Sequence, residues 1–262
     1  MKRRFAAALL LAAAAPLAGA AIDPERALAA SRAAIGSQPG AHEFTDTEGR
    51  RVSLASYRGK PLVVSFVYTG CSQVCPTATR FLARAVREAR SVVGADAFNV
   101  ASIGFDIPAD NPMSLRVFAK RNEIDDRRWA FLTPDAGGPR ALARDFGFAF
   151  EPGAGGFDHL TQVTVLDADG RVHAQVNGET FELPMLVQPL RELALGAPPS
   201  PAGAFAGMLE RARLLCTKYD PLSGKYRLDY GLFIELAVGL ACLGATAAFL
   251  VREWRRARGP AC

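Results

Sequence analysis

The alternation of apolar and polar positions divides the chain into two kinds of segment. Between about residues 41 and 196, short apolar runs of strand length alternate with longer stretches whose apolar positions recur at helical spacing. His42 to Leu54 reads as a hairpin around the turn Asp46 to Gly49, and Pro61 to Tyr68 is an apolar run of the kind a central, doubly covered strand shows. Arg80 to Arg90 predicts a helix, because Phe81, Leu82, Ala85, Val86 and Ala89 fall on one face. Phe98 to Phe105 predicts a strand, Pro112 to Arg121 a helix capped by Asn111, and Trp129 to Leu132 a short strand. Pro139 stands where a helix over Arg140 to Phe146 would begin. Gln162 to Leu166 and Arg171 to Gln175 predict a hairpin across the Asp167 to Gly170 turn, and Leu183 to Leu195 a last helix. This order predicts an α/β fold, a mixed central sheet with helices on both faces.

The ends have a different pattern. Lys2, Arg3 and Arg4 precede an apolar stretch from Phe5 to Leu17, and Ala18-Gly19-Ala20 offers the small residues of a cleavage site. The stretch is shorter than the roughly 20 apolar residues a bilayer span needs, so residues 1–20 read as a signal peptide cleaved after Ala20. Residues 21–40, rich in Ala and ending in Gly36, Pro39 and Gly40, read as a lead-in. Prolines between Ala197 and Pro201 end the domain, and residues 197–229 read as linker and juxtamembrane segment, with an amphipathic piece from Phe205 to Leu215. Tyr230 to Val251 is apolar apart from Glu235 and is followed by Arg252, Arg255, Arg256 and Arg258. That predicts a C-terminal transmembrane helix over 230–251 with a cytoplasmic tail over 252–262, so that the domain faces the periplasm from the bacterial inner membrane.

Half of the 262 residues are apolar, enough for one full core. The formal charge of +5 comes partly from the two ends, and no long basic run lies between them, which argues against nucleic-acid binding.

The candidate chemistry is concentrated in Gly70 to Pro76, where Cys71 and Cys75 follow the most hydrophobic strand and open the first long helix. A helix amino terminus favours thiolate over thiol, and a four-residue spacing puts both sulfurs on one helical face. Three uses of such a pair stay open on spacing alone: a soft-metal site suited to Cu(I), a structural disulfide of an exported protein, or a redox-active dithiol, although that is ordinarily Cys-x-x-Cys. His42 and His173 lie at strand positions and read as structural. Met113, Met185 and Met208 are too scattered for a methionine-rich copper store.

The run from Phe66 through Cys71 and Cys75 to Pro76 resembles the copper-site motif of the Sco (SenC/PrrC) family. Phe44 to Gly49 with Tyr57 to Pro61 resembles that family's entry hairpin, Phe105 to Asp110 its Asp-rich loop, and Asp158-His159 its Asp-His pair. The likeness extends over about residues 41–196. It implies a thioredoxin-like fold and a metal site of Cys71, Cys75 and His159 holding Cu(I) or Cu(II). It implies a metallochaperone that delivers copper to the CuA site of cytochrome oxidase subunit II, with other periplasmic copper carriers as further partners. The alternative is a periplasmic thiol-disulfide oxidoreductase using Cys71 and Cys75 to keep such dithiols reduced. A peroxiredoxin-like peroxidase is disfavoured, since the loop lacks a Thr-x-x-Cys arrangement. The juxtamembrane stretch from Leu215 to Tyr226 resembles that of a C-terminally anchored subset, which makes Cys216 a candidate accessory thiol. Cys242 and Cys262 fall in the span and at its far end, away from the site.

Overall fold

The computed structural model describes residues 21–153, 155–196, 217–220, 225–228 and 231–257. The signal peptide, most of the linker and juxtamembrane segment including Cys216, and the last residues of the tail lie outside them. In chain order the elements are α1 (Pro24–Ala33), β1 (Glu43–Asp46), β2 (Arg51–Ser53), β3 (Leu62–Val67), α2 (Val74–Val93), β4 (Asn99–Gly104), α3 (Pro112–Arg121), β5 (Trp129–Pro134) and α4 (Gly138–Phe146). These are followed by β6 (Phe150–Gly153), β7 (Gly156–His159), β8 (Gln162–Leu166), β9 (Val172–Asn177), α5 (Leu183–Gly196), β10 (Thr217–Asp220), β11 (Lys225–Leu228) and α6 (Gly231–Ala257).

A seven-stranded sheet in the order β2-β1-β5-β4-β3-β8-β9 forms the centre. Its middle strands β3, β4 and β5 run parallel, while β1 and β8 join antiparallel on either side. Every residue of β3 is buried, as its apolar run requires of a strand covered on both faces. The parallel strands are linked by α2 and α3, and the loops at their carboxyl ends gather Thr69 to Ser72 and Phe105 to Asn111 at one edge, where open α/β sheets place their sites. Asn111 caps α3 as its sequence predicts, accepting the amide protons of Met113 and Ser114.

Two segments depart from the expected layout. Residues 21–40 are more than a lead-in: α1 is N-capped by Asp23, carries Pro24 in its first turn, and buries Ala27 and Ser31. It rests so closely on the end of α4 that a Cβ at Gly147, where φ is +61°, would stand 2.3 Å from the Ala30 carbonyl oxygen. The stretch before His159, to which the sequence pattern assigned no element, is a two-stranded hairpin in which Phe150 pairs with His159.

The expected transmembrane helix over 230–251 does form a helix, but not one that qualifies as a span. α6 is a 27-residue helix, but among the described residues no helix is long and apolar enough to cross a membrane. Ile234, Val238, Leu240, Leu243, Phe249 and Leu250 are all exposed on α6.

Candidate metal centre

The local sequence explains why the two cysteines are unlike each other. Val74 opens α2, so the amides of its first turn have no carbonyl partner within the helix. Gln73 at the cap position makes no side-chain bond, and the Cys71 sulfur takes that role by accepting the Cys75 amide proton at 3.2 Å. Pro76 falls in the same turn, where a missing amide proton costs nothing. Both thiols are free. Partial burial raises the Cys71 pKa, but the amides of Cys75 and Gln73 and the hydroxyl of Tyr68 donate to its sulfur and bring the thiol below its ordinary value. Cys75 is buried, and burial together with the nearby Cys71 sulfur pushes its thiol up to about 12. Cys71 is therefore the thiol that ionises more readily, and Cys75 the one that keeps its proton. Iodoacetamide should modify Cys71 at a rate that levels off below the usual thiol pH, while Cys75 should react only once the protein unfolds; mass spectrometry of digests taken between pH 5 and pH 10 checks this, as roughly the range in which thiols titrate.

Asp110 fixes the loop that carries Cys71. It is fully buried, and one carboxylate oxygen accepts the Thr69 amide and hydroxyl at 2.7 and 2.8 Å while the other accepts the amides of Phe105 and Asp106 at 3.0 and 2.8 Å. Burial raises its pKa against these four donors. Gly104 makes room for it, since a Cβ there would lie 2.6 Å from the Asp110 Cβ. The loops after β3 and β4 are thus held together through one side chain.

His159 ends β7 at the same edge of the sheet, edge-on to Tyr68 with ring centroids 5.8 Å apart, and close to Phe105 and Phe148. Its Nδ1 is buried and has no hydrogen-bond partner. Burial lowers its pKa, which favours the neutral imidazole that metals bind. It lines one small pocket together with Cys75, Thr79, Leu82, Gly178 and Phe181. Tyr68 stands between the two halves of the site: its hydroxyl bonds the Cys71 sulfur, burial followed by that bond raises its pKa to about 12, and its ring packs on His159. Gly156, with φ of +127°, lets that hydroxyl approach, because a Cβ there would stand 2.8 Å from it.

The structure thus joins Cys71 to Cys75 directly and brings His159 to the pocket that Cys75 lines. It does not assemble the three as a ligand cluster: among the described residues, no group of three or more His, Cys, Asp or Glu side chains stands ready to hold a metal ion. The chemistry of the donors nonetheless fits copper, with two free thiols, one of lowered pKa, and one unpaired imidazole nitrogen at a common edge. His42 and His173 lie elsewhere, facing Asp145 at 2.7 Å and Glu192 at 3.4 Å. Asp110 entered the sequence reading only as part of a loop and Tyr68 only as part of a motif; neither residue type announces by spacing that it will touch the cysteine loop.

A parallel-centred sheet with a dithiol at the mouth of its first long helix defines a thioredoxin-like protein. The SCO1/SenC family model matches residues 32–194, more than half of the chain, and the chain belongs to that family. It is similar to the SCO1 protein homolog of Bacillus subtilis (strain 168), 28% identical over 92 residues. The match takes in 34% of this chain and 46% of that protein, so it spans about half the length of the relative. Among solved structures it resembles Bradyrhizobium japonicum ScoI with copper bound, at 22% identity and a TM-score of 0.51, covering 60% of this chain and 99% of that one. It also resembles BsSco, described as having a disulfide switch and as a member of the Sco family of cytochrome c oxidase assembly proteins. That likeness has 20% identity and a TM-score of 0.55, and covers 61% of this chain and 94% of the other. At these identities the two structures speak for the fold.

Proposed function

We propose that the protein is a copper metallochaperone that takes copper on Cys71, Cys75 and His159 as cargo and passes it to the CuA site of cytochrome oxidase subunit II. The observation that carries this reading is the buried Nδ1 of His159, without a hydrogen-bond partner, on a residue that lines the same pocket as Cys75, whose amide donates to the Cys71 sulfur. A buried nitrogen without a partner is costly, and a soft metal held by the two sulfurs would take its lone pair. Membership of the family, and the copper held by one relative of this fold, support the cargo. Metal analysis of the reduced exported chain should find one Cu(I) per molecule retained against a competing chelator. Substoichiometric or weakly held copper counts against the reading.

A second reading has its own support. A low-pKa, partly exposed Cys71 beside a buried, protonated Cys75 is the asymmetry of an attacking and a resolving thiol. In that role two thiols become one disulfide, and the two electrons and two protons reduce a partner's disulfide to its dithiol.

The place of action we propose is the periplasmic face of the inner membrane. The N-terminal pattern of residues 1–20 supports export, and the sequence from Tyr230 to Val251 followed by four arginines supports anchoring through α6. A helix exposing this many large apolar side chains would be a liability in water. A periplasm-active reporter fused after Gly203 should be active and one fused after Cys262 inactive; the reverse pattern removes the anchor.

A further inference from the structure

The beginning of the described chain ends up at the candidate metal centre. The Ile22 amide donates to the Asp158 carboxylate at 2.9 Å, and Asp158 immediately precedes His159 on β7. Ile22 has little freedom to leave, because the next residue, Asp23, caps α1 through the amides of Glu25 and Arg26. The far end of the same segment is tied down as well. The Ser31 hydroxyl bonds Asn177 at 3.2 Å, next to Gly178 in the wall of the pocket shared by Cys75 and His159. Gly36 donates to the Val172 carbonyl at 2.7 Å, and the Val172 amide donates to Ser37 at 2.9 Å, covering the open edge of β9.

We propose that Asp158 is the docking point for the processed amino terminus, so that removal of a leader after Ala20 completes the support of His159. Three bonds separate the Ala21 nitrogen from that of Ile22, which keeps the two within about 4.3 Å. The Ala21 nitrogen therefore lies no more than about 7 Å from the Asp158 carboxylate. In a chain cleaved after Ala20 that atom is an α-ammonium, a positive charge beside a carboxylate. With the leader attached it is a neutral amide continuing into an apolar segment. Cleavage thus adds one charge at a fixed place, and Asp158, held by both the charge and the Ile22 amide, steadies β7 and the His159 ring among Tyr68 and Phe105. Asp158 is a positioning residue here. It touches the segment that supports the histidine, and the proposal rests on His159 being a copper donor only for its effect on metal.

The test uses the chain purified from producing cells, in the natural form, with Asp158→Ala, with Asp158→Asn, and with Ala18 and Ala20 replaced by bulky residues that block cleavage. Asp158 is exposed, so neither substitution there endangers the fold. Mass spectrometry should give Ala21 as the first residue. Hydrogen exchange at the Ile22 amide should be about tenfold faster in Asp158→Ala than in the natural form, and close to natural in Asp158→Asn, which keeps an acceptor. Cu(II) affinity should fall by about two- to fivefold in Asp158→Ala and in the uncleaved chain, the scale of one partly screened ion pair, while Cu(I) binding to the cysteines is unchanged. A first residue other than Ala21, or equal Ile22 exchange in the natural and Asp158→Ala chains, overturns the docking. Failure of every form to bind Cu(I) instead sinks the copper reading, and the exchange data still decide the docking.

Discussion

Cys71→Ser and Cys75→Ser are each expected to abolish tight Cu(I) binding. Two-coordinate sulfur ligation suits that ion, and a serine hydroxyl is a hard donor that does not deprotonate near neutral pH, so one sulfur cannot hold the site alone. The loss should exceed the roughly 10- to 100-fold that removal of a mere supporting contact costs a metal site. The two variants should differ in a second respect. Cys71 accepts the first-turn amide of α2, and a serine there remains able to cap the helix. Cys75 is buried in the pocket beside Thr79 and Leu82, so Cys75→Ser places a hydroxyl in a largely apolar wall and should lower the melting temperature by a few degrees. Competition titration with a Cu(I) chelator, run beside thermal melts of the same samples, separates loss of a ligand from loss of fold. Undiminished binding by either variant removes that cysteine from the ligand set.

The segments that the sequence made legible are those with strong local chemistry. β3 stands out because six consecutive positions are buried, and α3 because Asn111 and Pro112 form a cap and first turn. α1 escaped notice because its buried face is Ala27 and Ser31, so the helix shows almost no apolar contrast; its signal was the Asp23-Pro24 cap. The β6–β7 hairpin is four residues on each side, with Pro152 and Gly153 in one strand and Gly156 opening the other, and offers no alternation to read. The cysteine pair was legible because the two lie only four residues apart, although Cys75 falls in the first turn of α2 and Cys71 in the loop before it rather than on one helical face. His159 was legible only through the likeness of Asp158-His159 to a family motif, since its approach to Cys75 depends on how β7 and β8 return along the sheet edge. The distance that decides the site is tertiary, and the structure places Tyr68 between the sulfur and the ring.

His159→Ala should separate delivery of copper from reduction of a disulfide. With the ring removed, Cys71 and Cys75 still hold Cu(I), so that complex should persist. Cu(II) should no longer form a stable species with intense sulfur-to-copper absorption, because two thiolates without an imidazole tend to reduce it. The substitution should be tolerated by the fold: the ring is at the end of a strand, its Nδ1 satisfies no partner, and its loss removes an edge contact from Tyr68 while the hydrogen bond from the phenol to Cys71 stays. A reductase needs only the two cysteines, so its activity on a model disulfide should be retained in this variant and lost in Cys75→Ser. Comparing the two variants in one strain, with copper titrated, then assigns the role. If the protein delivers copper, His159→Ala should fail to support oxidase assembly at limiting copper and recover when copper is abundant, whereas Cys75→Ser should be deficient at low copper as well and recover less. Normal oxidase activity in the histidine variant at the lowest copper, with loss in the cysteine variant, would identify the thiol chemistry as the physiological one and leave His159 outside the site.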